Sequence, residues 1–320
     1  SNLKWDAHIT RIVEKARKRL SLLYRLKFRL SRNTLIRLYK SMVRPILEYG
    51  GVIFDNCSQT LSDSIESVQY EAARICLGAL KRTPRYLLLK ELGWPTLAKR
   101  RQYFKLILFY KIVNGLTPAY LSDLVPNNND QTTVWLRNRR SLRQIRFTSI
   151  RFGNSFIPPT IQLWNNLPDD IRQSATLSKF KSSLKDTLLS VDPVPVYYSH
   201  GRRYSNIIHT RLRLGLSGLN SHLNRLNIIP SSECKCLNPD ETTFHFFFEC
   251  PLYSDARKSL LKTVCHILAP GVNPSLIVHE ASDILIRYLT HGNNDLSVNL
   301  NIKVFDAVQK FISDSRRFTS

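Results

Sequence analysis

Apolar and polar positions alternate along most of this chain at the spacing of amphipathic helices. In residues 8–30 the apolar side chains recur every three or four positions and basic side chains fill the opposite face, which predicts a helix. The apolar face contains Ile9, Ile12, Val13, Ala16, Leu20 and Leu23. The cations opposite it are Arg11, Lys15, Lys18, Arg25 and Arg29.

The same spacing predicts helices through the rest of the chain. A helix that starts at Arg32 is kinked or ended by Pro45, because proline lacks the N–H that a helix interior needs. Proline before a helix and glycine after it mark the ends of others. The predicted ranges are 61–80, 84–93, 96–113, 176–189 and 205–229, with two or three helices after them. The fold class is therefore mainly α.

Two stretches depart from helical spacing. Residues 134–157 alternate in the manner of strands, so a small β-hairpin is possible there. Residues 191–195 are rich in proline and read as a linker. We therefore predict a helical bundle at 1–125, a connecting region with a possible hairpin and a helix at 126–192, and a helical C-terminal domain at 193–320.

Charge changes the picture, because the chain has 47 Lys and Arg against 24 Asp and Glu, a net charge of +23. Residues 1–50 have 13 basic and 3 acidic side chains, whereas residues 231–320 have 9 and 10. This distribution favours a polyanionic partner for the part upstream of residue 231, with nucleic acid the leading candidate. The basic face of the first helix could instead be a solvated bundle face or a membrane-surface helix.

Further arginines are candidates for nucleic-acid contacts. Residues 135–140 and 201–204 interleave aromatic side chains with arginine, a pattern that suits stacking on single strands or heteroduplex edges, although surface ion-pairing loops would look the same. The added candidates are Arg137, Arg139, Arg140, Arg202, Arg203, Arg211 and Arg213.

A cluster of cysteines and one histidine near the C-terminus carries metal-ligand chemistry. Cys234 and Cys236 would share one tight turn, and His245 and Cys250 would come from the start and end of a short helix that begins near Asp240 or Thr242. Three thiolates and an imidazole complete a closed tetrahedral Zn²⁺ site, which is a scaffold and leaves no position for substrate. Buried cysteines acting as core filler, or a disulfide, are the alternatives. Six cysteines in 320 residues do not form a secreted disulfide framework, so we expect an intracellular protein of the nucleus or cytoplasm.

Patterns of catalysis are missing from the sequence. There is no phosphate-binding glycine loop, since Gly215-x-x-Gly218 is better explained by helix packing. Asp169 and Asp170 follow Pro168, where a helix start favours acidic side chains, so a two-metal site is not the preferred interpretation. No run of 18 or more apolar residues exists, so no membrane span is predicted.

Several ordered motifs resemble the part of LINE-type (non-LTR) retrotransposon reverse transcriptases that lies downstream of the palm domain. Residues 38–50 and 65–75 look like helices of the thumb region. The C-terminal ligand set, with Glu241, Thr242 and Arg257 near it, is similar to the Cys-Cys-His-Cys motif of these elements. The remaining similar segments are residues 3–9, 155–168 and 211–215.

The resemblance implies a template–primer-gripping thumb and a C-terminal zinc-knuckle-like domain, with RNA or an RNA–DNA hybrid as ligand and target DNA as a further candidate. The polymerase aspartates of this family belong to a palm domain upstream, so this chain alone is expected to be inactive. Because the sequence starts without methionine, we expect a piece of a longer protein. The alternatives are a host-adapted nucleic-acid-binding protein, a non-functional relic, and a protein-interaction bundle.

Overall fold

The computed structural model describes residues 5–126, 142–268 and 282–318. Across these ranges the secondary structure is helical without a β-strand, which confirms the mainly α fold class. The α-helices are α1 (Asp6–Leu26), α2 (Arg32–Leu38), α3 (Arg44–Glu48), α4 (Gly51–Phe54), α5 (Gln59–Leu77), α6 (Arg85–Leu92), α7 (Leu97–Val113), α8 (Ala119–Ser122), α9 (Ile150–Gly153), α10 (Ile157–Asn165), α11 (Asp169–Arg172), α12 (Leu177–Leu188), α13 (Arg203–Arg213), α14 (Asn220–Arg225), α15 (Ser254–Leu268), α16 (Ser282–His291) and α17 (Val298–Asp314). Tyr39–Val43 and His245–Glu249 form π-helical turns, and Val196–Ser199 and Pro251–Tyr253 form 3₁₀ turns.

The chain folds into two compact units, and each unit combines stretches that are far apart in sequence. Unit 1 contains Ser1–Lys18, Val43–Gln69 and Trp94–Asp192. Unit 2 contains Arg19–Met42, Tyr70–Gly93 and Pro193–Ser320. The three-part division drawn from the sequence stays a prediction.

Helix ends follow the local signals of the sequence. Thr96 caps α7 by accepting a hydrogen bond from the Lys99 N–H at 3.2 Å, and Thr176 caps α12 in the same way. Gly93 ends α6 in the left-handed region at φ 61°, where a side chain would be strained. Pro45 does not end the predicted helix, since helical structure runs without interruption from α2 through the π-helical turn Tyr39–Val43 into α3. The π-helical turn comes directly before the first turn of α3, where Pro45 removes an N–H from the helix.

Unit 1 has an aromatic core formed by α7, α10 and α12. Tyr110 of α7 stacks on Phe180 of α12 with ring centroids 4.4 Å apart, and Phe109 meets Trp164 of α10 edge-on at 5.4 Å. The buried Tyr110 hydroxyl donates to the Ser174 carbonyl at 2.7 Å, so its polar end is satisfied. The remaining buried members are Leu106, Ile107, Ile157, Ile161, Leu167, Ile171 and Leu184.

The possible β-hairpin is not seen in the part of 134–157 that is described. Residues 142–149 have no regular secondary structure and no strand pairing, and α9 and the start of α10 follow. The Asn165 side chain takes the place of a neighbouring strand, since it accepts from the Leu142 N–H at 3.0 Å and donates to the Leu142 carbonyl at 2.8 Å. Leu142 and Ile145 are partly buried and pack against the aromatic core, so this segment is held by packing and by Asn165 and not by a paired strand. Residues 134–141 lie outside the described residues.

The Asp169-Asp170 pair begins a helix, as the sequence favoured. Both carboxylates occupy the first turn of α11, which Pro168 precedes, and Arg172 pairs with Asp169. Acidic side chains in a first turn interact favourably with the helix dipole, so their place at this helix start needs no metal.

Unit 2 packs α13, α15, α16 and α17 around the cysteine-rich segment. Phe246 and Phe247 contact Phe311 of α17 with ring centroids 5.0 and 5.5 Å apart. The other buried members come from all four helices and the loops between them: Ile208, Leu212, Leu219, Cys234, Phe248, Cys250, Tyr253, Leu260, Val264, Leu285, Leu289, Val304, Val308 and Ile312.

The predicted helix at 205–229 was wrong as one continuous element. Gly215 adopts φ +67°, a left-handed conformation that ends α13, and α14 starts only at Asn220. No atom lies within 4 Å of the position a Gly215 Cβ would take, so close helix packing does not explain this glycine. It terminates the helix, and the Leu216 N–H closes the turn on the Arg211 carbonyl at 3.0 Å.

Candidate metal centre and basic surface

A tight turn presents the first two candidate metal ligands. The Cys234 N–H donates to the Asn238 carbonyl at 2.9 Å, and the Leu237 N–H donates back to the Cys234 carbonyl at 2.9 Å. Leu237 takes φ 70°, a conformation uncommon for a branched side chain, which lets the chain reverse directly after Cys236. Both thiols therefore start from one closed loop.

The other two candidate ligands flank the π-helical turn His245–Glu249. Thr242 caps this turn, since its hydroxyl oxygen accepts from the His245 N–H at 2.9 Å. The Cys250 N–H donates to the His245 carbonyl at 2.8 Å, so the imidazole and the thiol lie one wide helical turn apart. The prediction that these ligands come from the start and end of a short helix is confirmed.

The four side chains converge on one point, and together they could hold a metal ion. Their ligand atoms all lie within 4.8 Å of one another. The Cys234 and Cys250 sulfurs are 3.8 Å apart, and the Cys236 sulfur lies 3.2 Å from His245 Nε2. Tetrahedral bonds of about 2.3 Å to sulfur and about 2.05 Å to nitrogen would give edges of about 3.8 Å and about 3.6 Å. The donor set and its spacing thus fit a closed tetrahedral site.

The disulfide and core-filler alternatives fit this geometry less well. A disulfide needs its sulfurs about 2.05 Å apart, and every cysteine of the chain is free. Cys234 and Cys250 do belong to the buried cluster of unit 2. If the cysteines only filled the core, however, there would be no reason for the buried His245 imidazole to place its Nε2 next to the Cys236 sulfur.

Surrounding polar groups orient the ligands. His245 Nδ1 lies 3.3 Å from Glu249 Oε2, a contact that would fix the tautomer and leave Nε2 facing the sulfurs. Arg317 donates to both oxygens of the buried Glu241 at 2.5 Å, and Glu241 Oε1 lies 3.9 Å from the Cys234 sulfur. Arg257 donates to the Phe247 carbonyl at 2.9 Å and also to the Cys250 carbonyl.

Of these supporting residues, Glu249 could have been found from its spacing of four residues from His245. Glu241 and Arg257 lay inside the resembling motif but had no assigned role. Arg317 lies 76 residues from Glu241, and no sequence signal linked the two.

The Cys234 and Cys250 thiols are buried, and burial disfavours their charged form. It raises the pKa of Cys250 to about 12 and raises the pKa of Cys234 as well. A thiolate is the metal-binding form of cysteine, so a metal that enters this cluster must displace protons from buried sulfur.

The cations of the first helix lie on one exposed face, which also contains the exposed Leu22. Arg11, Lys15, Lys18 and Arg25 are all exposed. At 100° per residue they fall within an arc of about 80° on α1. The apolar positions of α1 lie on the opposite side and are buried: Ile9, Val13, Ala16, Leu20 and Leu23. Arg29 is exposed in the turn that follows α1.

The arginines of α13 use their donors within unit 2. Arg203 donates to the carbonyls of Lys27, Cys76 and Ile75 at 2.8, 2.7 and 2.9 Å. Arg211 donates to the Gly78 carbonyl at 2.7 Å. Three of these four carbonyls belong to the end of α5 and the glycine that follows, so both arginines stabilise the negative end of that helix dipole. Burial lowers the pKa of Arg203 to about 10.

Arg213 lies in the interior of unit 2 and forms an ion network. Its guanidinium contacts Glu91 at 2.7 Å, and Arg32 contacts the same carboxylate at 2.8 Å. Arg213 also donates to the Thr290 carbonyl at 2.9 Å and lies 3.8 Å from the centre of the Tyr198 ring. Both arginines and Glu91 are buried, and no pattern in the sequence indicated this network.

The remaining predicted arginines are placed differently or not described. Arg202 is exposed just before α13. Arg137, Arg139 and Arg140 lie outside the described residues. For all seven added arginines the assignment to nucleic-acid binding stays a prediction.

Within the described ranges, the structure contains no helix with the length and apolar character needed to cross a bilayer. Comparison with known proteins adds no relative: no family model, curated protein or solved structure matches the chain significantly.

Proposed function

We propose that this chain grips the phosphate backbones of RNA or an RNA–DNA hybrid, as the thumb and C-terminal part of a LINE-type RNA-directed DNA polymerase. The observation that carries the proposal is the exposed basic face of α1. Four cations share this face, and the apolar face opposite them is buried. A row of cations on a rigid helix can follow a row of phosphates without reading bases, which suits an enzyme that must hold any template–primer.

Charge distribution supports a polyanion as the ligand. Residues 1–50 carry a net charge of +10 and residues 231–320 a net charge of −1. Solubility alone would not require this asymmetry, since an evenly spread charge would serve as well. Target DNA is a further ligand of the same chemistry, and the proposed place of action is the nucleus or the cytoplasm.

The proposed role of the cysteine cluster is to hold a structural Zn²⁺ through Cys234, Cys236, His245 and Cys250. Three soft thiolates and a borderline imidazole are a donor set that zinc prefers, and four protein ligands leave no open position for substrate. Bound zinc would supply folding energy to the segment between α14 and α15. The proposed centre is thus a scaffold of a zinc-knuckle type that fixes the C-terminal part of unit 2.

Salt dependence of binding tests the phosphate contacts. Affinity for a 20-base-pair RNA–DNA hybrid is measured by fluorescence anisotropy between 50 and 200 mM salt. If 6–10 contacts form, it should fall by about 10³–10⁵-fold across this range. The variant Arg11→Gln/Lys15→Gln/Lys18→Gln should lower the slope of log affinity against log salt by about 2.7, because each lost contact accounts for about 0.9.

A matched variant separates a binding face from net charge. Lys262→Gln/Lys303→Gln/Lys310→Gln removes the same three charges from exposed positions in the C-terminal segment. Its salt slope should equal that of the unmodified chain. Equal slopes for the two triple variants, or an affinity that does not change with salt, would refute the proposal.

The gene upstream of Ser1 separates the polymerase fragment from its rivals. An intact palm with paired aspartates in the same reading frame supports the polymerase interpretation. A nearby start codon without a palm instead supports a host-adapted binding protein or a relic. A protein-interaction bundle is distinguished by its ligand, since its basic face would bind an acidic protein and show no affinity for the hybrid.

A further inference from the structure

The turn at the end of α1 exposes two aromatic rings next to three cations. Tyr24 and Phe28 are 58% and 63% exposed. The Lys27 ammonium lies 3.8 Å from the centre of the Tyr24 ring and 4.8 Å from that of Phe28, so one cation lies over both rings. Arg25 and Arg29 are exposed on either side of Lys27 along the chain. We call residues 24–29 the aromatic turn.

Hydrogen bonds hold the backbone of the aromatic turn in place. The Arg29 N–H donates to the Leu26 carbonyl at 2.9 Å, which closes the turn after the helix. Arg203 donates to the Lys27 carbonyl at 2.8 Å, and its other donors hold the end of α5. The rings are thus presented from an anchored backbone, so a ligand that stacks on them does not have to order the chain first.

Isolated exposed aromatic residues are common and need no explanation. Here, however, two rings share one turn with three cations and no acidic residue, while aromatic side chains are large apolar groups that gain from burial. The ligand that matches this surface has a flat π-face and a negative charge on either side of it. An unpaired nucleotide in a strand has both, because its base stacks and its flanking phosphates pair with cations.

We propose that Tyr24 and Phe28 stack on an unpaired base of a single-stranded segment, while Arg25, Lys27 and Arg29 bind the phosphates next to it. A base inside a duplex offers no free face, so this site would take a strand overhang and leave the duplex to the phosphate contacts of α1. The inference rests on the proposed function, because it assigns a second ligand element to the same nucleic acid. The stacking site would make the chain bind a normal overhang more tightly than a baseless one, a preference that cations alone cannot give.

The test compares the full chain bound to three hybrids: blunt, with a five-nucleotide RNA overhang, and with the same overhang lacking its bases. The normal overhang should bind about 5–150-fold more tightly than the baseless one for each base that stacks, which corresponds to about 1–3 kcal/mol per base. A 2-aminopurine placed in the overhang should lose fluorescence on binding, since stacking on an aromatic ring quenches it.

Variants assign the preference to these two rings. Tyr24→Ala/Phe28→Ala should bind the normal and baseless overhangs equally and keep its affinity for the blunt hybrid. Tyr24→Phe/Phe28→Tyr keeps both rings and should keep the preference. Tyr49→Ala/Tyr120→Ala removes two other exposed rings and should also leave the preference unchanged.

The outcomes separate the two proposals. Blunt hybrid that binds without salt dependence, or not at all, means that the proposed function fails. Blunt binding that depends on salt, together with equal affinity for normal and baseless overhangs, overturns only the stacking site. Vesicles of phosphatidylcholine and phosphatidylserine test a lipid surface instead. Vesicle binding that is lost in Tyr24→Ala/Phe28→Ala, without any preference for bases, would also overturn the stacking site.

Discussion

Replacing Glu91 by Gln should strongly destabilise unit 2. The substitution keeps the shape of the side chain and removes its charge, so Arg32 and Arg213 become two buried cations without a counter-ion. Removing one partner of a buried ion pair costs about 3–5 kcal/mol. Because two guanidinium groups depend on this one carboxylate, we expect a loss of about 5 kcal/mol, against a total stability of about 5–15 kcal/mol for a typical domain.

The electrostatics of the network support this magnitude. Burial opposes the charge of Glu91, yet the attraction of Arg213 and Arg32 and their hydrogen bonds hold its pKa below the ordinary value. Burial, together with repulsion by Arg213, lowers the pKa of Arg32, and Glu91 counteracts both effects. At a charge separation of roughly 4 Å and an effective dielectric constant of about 20, each attraction is about 4 kcal/mol.

Urea unfolding at pH 7 measures the effect in Glu91→Gln, Arg32→Met and the double variant. Arg32→Met should destabilise the unmodified chain but not the Glu91→Gln chain, where it removes a cation that has lost its partner. Lys258→Met is the control, since it breaks an exposed pair with Asp255 and should cost less than about 1 kcal/mol. Losses that simply add in the double variant, or a loss below about 1 kcal/mol for Glu91→Gln, would refute the reasoning.

Three further predictions concern the metal, acid and a glycine. The purified chain should contain one zinc ion, and the Cys250→Ser and His245→Ala variants should lose both the ion and local folding. Structural zinc supplies on the order of 10–16 kcal/mol of folding free energy in zinc-finger peptides. An unchanged melting temperature after chelation would contradict this prediction. Burial lowers the pKa of His209 to about 3 and that of His222 to about 4. Since the unfolded chain takes up these protons below about pH 6.5 and the folded chain does not, stability should fall as pH drops from 6.5 towards 4, by about 2 kcal/mol per histidine at pH 5. Equal urea midpoints at pH 7 and pH 5 would count against that sign. His209→Gln should remove the part of the effect that comes from His209, about 2 kcal/mol at pH 5. Gly78→Ala should destabilise the folded chain more than Gly115→Ala. Both glycines have φ +65°, but only at Gly78 would the new Cβ meet a neighbour, the Ile207 side chain at 2.6 Å. The strain shared by both is about 1–2 kcal/mol and the overlap adds about 1–3 kcal/mol, so equal melting temperatures would contradict the overlap.

Local signals account for the parts of the fold that were predicted correctly. The ends of α6 and α7 depend on Gly93 and Thr96, which act within one helical turn, so neighbouring residues suffice to place them. The convergence of the four candidate metal ligands was predictable for the same reason, since they lie within 17 consecutive residues of the chain. The alternating pattern of residues 144–147 did not identify a strand in the described part, because this segment packs Leu142 and Ile145 against the aromatic core without regular secondary structure.

Contacts between distant residues account for the rest. Arg213 lies 122 residues from Glu91. Composition and periodicity therefore show that Arg213 is charged, but they cannot show which residue it pairs with in the interior. Arg203 likewise looks like a surface cation in the sequence, yet it donates to carbonyls more than 120 residues away. A count of basic residues therefore overstates how many of them face solvent.

The ion network has a consequence for synthesis of the chain. Arg32, Glu91 and Arg213 come from the three separate stretches of unit 2. Arg213 is translated 122 residues after Glu91, which takes roughly 6–24 seconds at about 5–20 residues per second. Until it leaves the ribosome, the carboxylate has only one of its two guanidinium partners. The nascent chain must therefore wait, with α2 and α6 exposed to chaperones and proteases, before this unit can become a stable body.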